Sequence, residues 1–140
     1  MPSLATLIPR FQTADRQIRL EMLLDYARRL PPVPERLQAT LAADENRVHE
    51  CQTPVFLWPE VTDGAVHLYA DVPRESPTAR GFVALLARTI DGLPPSAVAE
   101  IPDDLLEQLR LTETLGMNRT YGLTAILQRI KRTVAAAAAG

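Results

Sequence analysis

The chain has 140 residues, 46% of them apolar and 23% charged, with a formal net charge of −2, the make-up of one globular domain that can bury its own core. Fifteen Lys+Arg stand against 17 Asp+Glu with no basic run, which excludes a nucleic-acid binder held by charge, and no apolar run approaches the roughly 18 residues of a membrane span. The start lacks the positive and apolar regions of a secretory signal, and Cys51, the one cysteine, has no intramolecular disulfide partner, so a single domain over residues 1–140 in the cytoplasm is expected.

The first helix is expected over Thr13–Leu30. Thr13 serves as N-cap, and Asp15 lies in the first turn, where the helix dipole favours negative charge. Ile18, Met22, Tyr26 and Leu30 recur at helical spacing, with Leu23 and Ala27 widening the stripe. Arg28 and Arg29 suit its end, and Pro31-Pro32-Val33-Pro34 stops it, because proline lacks an N–H and biases its predecessor away from the α region. Glu35–Ala43 reads as a short helix through Leu37 and Leu41, and Asp44-Glu45-Asn46 as a solvated turn.

The period then changes to two. Val55–Val61 and Ala65–Val72 read as strands, with Val66, Leu68, Ala70 and Val72 on one face and His67, Tyr69 and Asp71 on the other. Thr62-Asp63-Gly64 is a hairpin signal, and Pro59 places its strand at an edge or a bulge. Phe56 and Trp58 read as core or sheet-face residues. A further short strand around Arg47–Glu50 would bring the sheet to about three strands.

Ser76-Pro77 opens the next helix, serine as N-cap and proline at the first helical position. Phe82, Leu85, Leu86, Thr89 and Ile90 form its stripe, and Gly92 ends it before Pro94-Pro95. A short helix is expected over about Pro102–Arg110, with Asp103 and Asp104 as favourable first-turn charges. Gly116 interrupts, and the last helix runs from about Asn118 into Ala135–Ala139, which are its fraying end or a tail. Its buried face is Leu123, Ile126, Leu127, Ile130 and Val134. Helix, then strands, then helices in segregated runs indicate an α+β fold, helices packed on one side of a small antiparallel sheet.

Chemistry concentrates on His49-Glu-Cys-Gln-Thr-Pro-Val55. A lone cysteine reads as a small buried hydrophobe, whereas these polar neighbours suit an exposed loop thiol. A working thiol must ionise; Arg47 and His49 would assist and Glu50 would oppose. On a strand His49 and Cys51 would share a face and form a pair, and otherwise His49 is simply solvated. One Cys and two His show no metal-ligand spacing, and the six glycines are scattered, so no phosphate-cradling loop is present. Arg119 is either a surface residue or an anion contact where the last helix begins.

Three blocks carry a family resemblance. Arg47-Val-His-Glu-Cys-Gln-Thr-Pro-Val-Phe-Leu57 resembles the cysteine loop of SufE-type proteins, sulfur acceptors in iron–sulfur cluster assembly, which typically reads Val-x-Gly-Cys-Gln-Ser-x-Val-Trp. Ser76–Gly92, with Ala79-Arg80-Gly81 leading into an apolar helix, resembles the next block, and Leu115-Gly-Met-Asn-Arg-Thr-Tyr-Gly-Leu123 resembles a Leu-x-Pro-Ser-Arg-x-x-Gly-Leu block. The resemblance spans about Phe11 to Val134. Glu50 departs from the family's glycine, Thr53 from its serine and Met117-Asn118 from its Pro-Ser.

The resemblance implies a SufE-like α+β fold and a persulfide carrier. Thiolate Cys51 would take the terminal sulfur of a persulfide on a pyridoxal-phosphate-dependent cysteine desulfurase (SufS-type), stimulate that enzyme, and hand the sulfur to an iron–sulfur cluster scaffold. It implies no cofactor of the chain's own, no metal, and a protein that works with an enzyme rather than alone, as monomer or homodimer. Arg119, His49, Gln52 and Arg47 would bind the partner or support the thiolate. Because persulfides oxidise and lose sulfur readily, Cys51 is expected to be shielded by an apolar pocket of Val55, Phe82, Leu85 and Leu86, its loop swinging out for the partner. Two other classes stand beside this reading: a redox-active, peroxidatic thiol, and a SufE-like regulatory module that carries no sulfur.

Overall fold

The structure, a computed structural model, describes residues 3–40 and 44–139. Two helices, rather than one, open the chain. α1 (Leu4–Thr13) starts at Ser3, whose hydroxyl accepts from the Thr6 N–H, and buries Leu7 and Phe11 one turn apart. Ala14 is extended, and α2 (Arg16–Ala27) restarts at Asp15, whose carboxylate accepts from the Ile18 N–H at 2.9 Å. The expected cap at Thr13 is thus corrected to Asp15. Thr13 instead donates its hydroxyl back to the Pro9 carbonyl at 3.0 Å, inside α1.

The buried face of α2 keeps Leu23, Tyr26 and Ala27 of the expected stripe, with Met22 and, just beyond the helix, Leu30 packed against the core, but it takes in Arg19 in place of Ile18, which is exposed. Arg19 is buried with its Nε and Nη1 bonded to four partners. It donates to the Ala14 carbonyl at 3.1 Å, the Arg110 carbonyl at 3.1 Å, Glu113 at 3.0 Å and the Thr114 hydroxyl at 2.6 Å. A buried cation is tolerated only with such partners.

α3 (Glu35–Gln38) is one turn that buries Leu37, and the Leu41 half of the expected helix lies outside the described residues. A 3₁₀ turn, Asp44–Asn46, follows. β1 (Phe56–Thr62) and β2 (Ala65–Asp71) pair antiparallel, with Trp58 opposite Tyr69 and Glu60 opposite His67. Asp63 and Gly64 both take positive φ, 52° and 76°, as a tight two-residue hairpin requires. Val66, Leu68 and Ala70 face the core as expected.

Among the described residues the sheet has two strands, not three. Arg47–Glu50 contributes a single bridge, Arg47 opposite Phe56, closed by the Val48 N–H on the Val55 carbonyl at 2.8 Å. The 3₁₀ turn Asp44–Asn46 precedes this pair and the chain turns at His49 after it, so no ladder can extend. At the far edge of β2, Val66 exchanges two 2.8 Å bonds with Gly92 and Leu93.

α4 (Pro77–Thr89) lies between α2 and β2 and is buried from Gly81 to Ala87. The expected Pro102–Arg110 helix shrinks to α6 (Leu105–Gln108), flanked by two unexpected short helices, α5 (Pro95–Ala99) and α7 (Leu111–Leu115). α8 (Met117–Ala139) buries the five side chains named from its periodicity, together with Thr120 and Gly122, and remains helical through Ala139. Its middle packs against β1, and its first two turns face the segment between Val48 and Val55.

Candidate functional site around Cys51

Residues 49–54 form a loop whose base is pinned and whose tip is lightly held. The base carries the Val48–Val55 bond, and Arg129 of α8 donates to the Arg47 carbonyl at 3.2 Å and to the Glu45 carbonyl. At the tip, Thr53 and Ser76 share a hydrogen bond of 2.9 Å, and the Cys51 thiol donates to the Gly122 carbonyl at 3.5 Å. Ser76 is therefore not a conventional cap. Ser3 and Asp15 cap with ψ near 166° and 174° and side-chain bonds, whereas Ser76 has ψ 67° and no cap bond, its hydroxyl being turned to Thr53.

Cys51 is half-buried and packs against the core. It opens onto a cleft of about 740 Å³ with three walls. One is its own loop, residues 50–53; the second is the entry to α4, residues 75–79; the third is the start of α8, where Asn118, Arg119, Tyr121, Gly122 and Leu123 face inward. Burial, reinforced by the adjacent Glu50 carboxylate, pushes the thiol from an ordinary 9.0 up to about 11. In this conformation Cys51 is a protonated thiol, which suits its role as donor to a carbonyl.

The site residues named from sequence separate into groups. Gln52 and Arg119 share the cleft with Cys51, and Arg119 donates to the Thr78 hydroxyl at 2.8 Å across the cleft wall. His49 does not pair with the thiol. It is exposed, and its Nε2 lies 3.0 Å from Asp44, because the segment is a turn rather than a strand that would align the two side chains. Arg47 contributes its backbone to the loop base, and its buried Nε has no partner. Val55, Phe82, Leu85 and Leu86 are fully buried members of the core and not lining residues of the cleft. Cys51 packs on the edge of the core cluster that contains these four, and the cleft onto which it opens is walled by its own loop, the entry of α4 and the start of α8.

Sequence reasoning passed over Gly122, Thr53, Ser76 and Thr78 as site residues. Gly122 carried a signal, since a glycine in the interior of a long helix costs about 1 kcal/mol against alanine and usually answers to a neighbour. A second hollow of about 360 Å³, between α5 and α8, has its Lys131 already bonded to the Ile101 carbonyl and to Asp103. Among the described residues no group of three or more His, Cys, Asp or Glu is placed to hold a metal ion, and no helix is long and apolar enough to cross a membrane.

Comparison with known proteins agrees with this geometry. The SufE family model, described as an Fe-S metabolism associated domain, matches residues 5–134. A SufE-like protein of Mycobacterium tuberculosis (strain ATCC 25618 / H37Rv) is 35% identical over 130 residues, covering 92% of this chain and 89% of the relative. One from Synechocystis sp. is 31% identical over 131 residues, covering 93% and 79%. The solution structure of a hypothetical protein from Thermus thermophilus superposes with a TM-score of 0.84 at 35% identity, over 98% of this chain and 96% of that one. With its helices, small antiparallel sheet and cysteine loop in the order that the sequence blocks predict, the chain belongs to the SufE family, associated with Fe–S metabolism.

Proposed function

We propose that the protein is a sulfur acceptor and carrier with Cys51 as the persulfide-forming nucleophile. The observation that carries this reading is the placement of the chain's one thiol at the mouth of a cleft, on a loop pinned at its base and lightly held at its tip. The donor is a pyridoxal-phosphate-dependent cysteine desulfurase carrying a persulfide. The Cys51 thiolate attacks the terminal sulfur, a new S–S bond forms to Cys51, and the desulfurase cysteine leaves as thiolate. No net oxidation occurs. The proton of the Cys51 thiol passes to solvent or to the departing thiolate. A cluster scaffold receives the sulfur by the same exchange.

Three features of the chain support this assignment. With no second cysteine, a persulfide on Cys51 cannot collapse into an internal disulfide, so the sulfur departs only to another molecule. A thiol held near 11 is unreactive at rest, which protects it from oxidation, and loop opening would remove the burial that holds it there. Arg119 and Gln52 sit in the cleft where a partner's loop or the released thiolate would be, so they are its contact or support residues.

The test is intact mass after incubation with a cysteine desulfurase and free cysteine. A gain of one sulfur atom, absent in Cys51→Ser and removed by reductant, is the expected result. No gain with desulfurase turnover still raised would replace this reading by that of a regulatory module. No gain and no stimulation would turn attention to peroxide reactivity.

A further inference from the structure

Gly122 stands in the interior of α8, where a side chain would ordinarily be tolerated and alanine preferred. A methyl built there meets three atoms, and they are unequal. The Cys51 sulfur lies at 3.1 Å, tighter than an ordinary contact, whereas the Cys51 Cα at 3.6 Å and the Glu50 carbonyl oxygen at 3.7 Å are at normal separation. The backbone of the loop therefore accommodates the methyl, and only the sulfur has to yield. The same residue's carbonyl receives the thiol at 3.5 Å. We propose that Gly122 is a positioning residue that sets how deeply the Cys51 thiol is seated: its missing side chain admits the sulfur against α8, and its carbonyl holds the S–H there.

The consequence is a thiol whose availability is governed from α8 rather than from its own loop. Burial is the larger cause of the raised Cys51 pKa, so a change that lifts the sulfur by a few tenths of an ångström acts on the dominant contribution. The inference concerns the regulation of the thiol that the carrier reading uses. Its test reads the thiol alone, so it stands or falls separately from the sulfur-loading experiment.

The experiment is the pH profile of Cys51 alkylation by iodoacetamide in the full chain, for the parent and Gly122→Ala. The parent profile should be governed by an apparent pKa near the 11 given by the closed site. In Gly122→Ala it should shift down by about one unit, which raises the rate at about pH 8 roughly tenfold. Gly122→Ala is also introduced beside Cys51→Ala, where no sulfur opposes the methyl. There it should raise the melting temperature, as the better helix former, while in the parent it should raise it less or lower it. An unshifted profile in a folded Gly122→Ala protein would overturn the proposal, and so would an equal change in melting temperature with and without the sulfur, since either result means that the methyl and the thiol do not meet.

Discussion

Two helices of this protein carry an interior glycine for the sake of a neighbour, and the neighbours differ in kind. At Gly81 of α4 the neighbour is the backbone of α2. A methyl there would overlap the Leu23 carbonyl oxygen and stand 2.8 Å from its carbon. At Gly122 of α8 the neighbour is one sulfur atom at the end of a short side chain on a loop. The first glycine lets two rigid elements touch and so fixes the fold. The second lets a movable group rest, and so sets the state of the thiol. What lies opposite the missing side chain, not the glycine itself, separates a structural role from a functional one.

The largest expected effect tests the rigid half of this comparison. Gly81→Ala forces α2 and α4 apart, and since a backbone carbonyl cannot swing aside, the cost should be about 3 kcal/mol, the upper part of the range for overpacked cores. For a chain of this size that is a fall in melting temperature of roughly 10 °C. A fall of only a degree or two would mean that the helices slide past each other, and the contrast with Gly122 would disappear.

Arg19→Met tests the same half by removing charge rather than adding bulk. It removes one partner each from the Ala14 and Arg110 carbonyls and from the Thr114 hydroxyl in a buried setting, the last two keeping their bond to each other, at an expected cost of about 2 kcal/mol. The urea midpoint should drop with little change in slope, and Cys51 alkylation by iodoacetamide should keep the parent rate. A faster alkylation would show that the α2 side and the thiol loop are coupled, which the contacts do not suggest.

On the movable half, Thr53→Val removes a hydroxyl that ties the loop tip to the entry of α4. The stability cost should be within about 1 kcal/mol, because the freed Ser76 hydroxyl becomes available to cap α4. The loop should open more often and Cys51 alkylation rise several-fold. An unchanged rate would show that the thiol–Gly122 contact alone holds the loop shut.

The two halves were not equally legible in the sequence. The buried face of α8, the alternation of β2 and the Asp63-Gly64 hairpin could be read because hydrophobic period and turn chemistry are local. On α2 Leu23, Tyr26 and Ala27 were legible but Arg19 was not, because it is buried by partners more than ninety positions away, and hydropathy counts an arginine as surface. The third strand failed because the 3₁₀ turn Asp44–Asn46 and the turn at His49 leave only Arg47 and Val48 extended between them, enough for one bridge and no ladder. At the site, Cys51 stood out as the one thiol among polar neighbours and Arg119 by its place where the last helix begins, and the family blocks added Gln52. His49 takes the solvated alternative, because a spacing of two aligns side chains only on a strand and the segment is a turn. Val55, Phe82, Leu85 and Leu86 belong to the buried core against which Cys51 packs, and they do not line the open cleft.

The smallest expected effect separates charge from burial at Cys51 itself. Both raise its pKa, burial more than Glu50. Glu50→Gln should therefore lower the apparent pKa only in part, leaving it above the ordinary value and speeding alkylation at neutral pH by about two- to threefold. Salt distinguishes the two contributions. Glu50 is exposed, and at about 1 M ionic strength the screening length is near 3 Å, so the parent should approach the variant in high salt while both stay well below the rate of an exposed thiol. The raised pKa also has a sign in stability. The unfolded chain gives up the thiol proton first, so the folded state loses stability as pH climbs from the ordinary 9.0 towards about 11, and that loss should be smaller in Glu50→Gln. If the variant instead matched the rate of a fully exposed thiol, the carboxylate rather than the seat against α8 would be what keeps Cys51 quiet, and Gly122 would become a packing glycine of the same kind as Gly81.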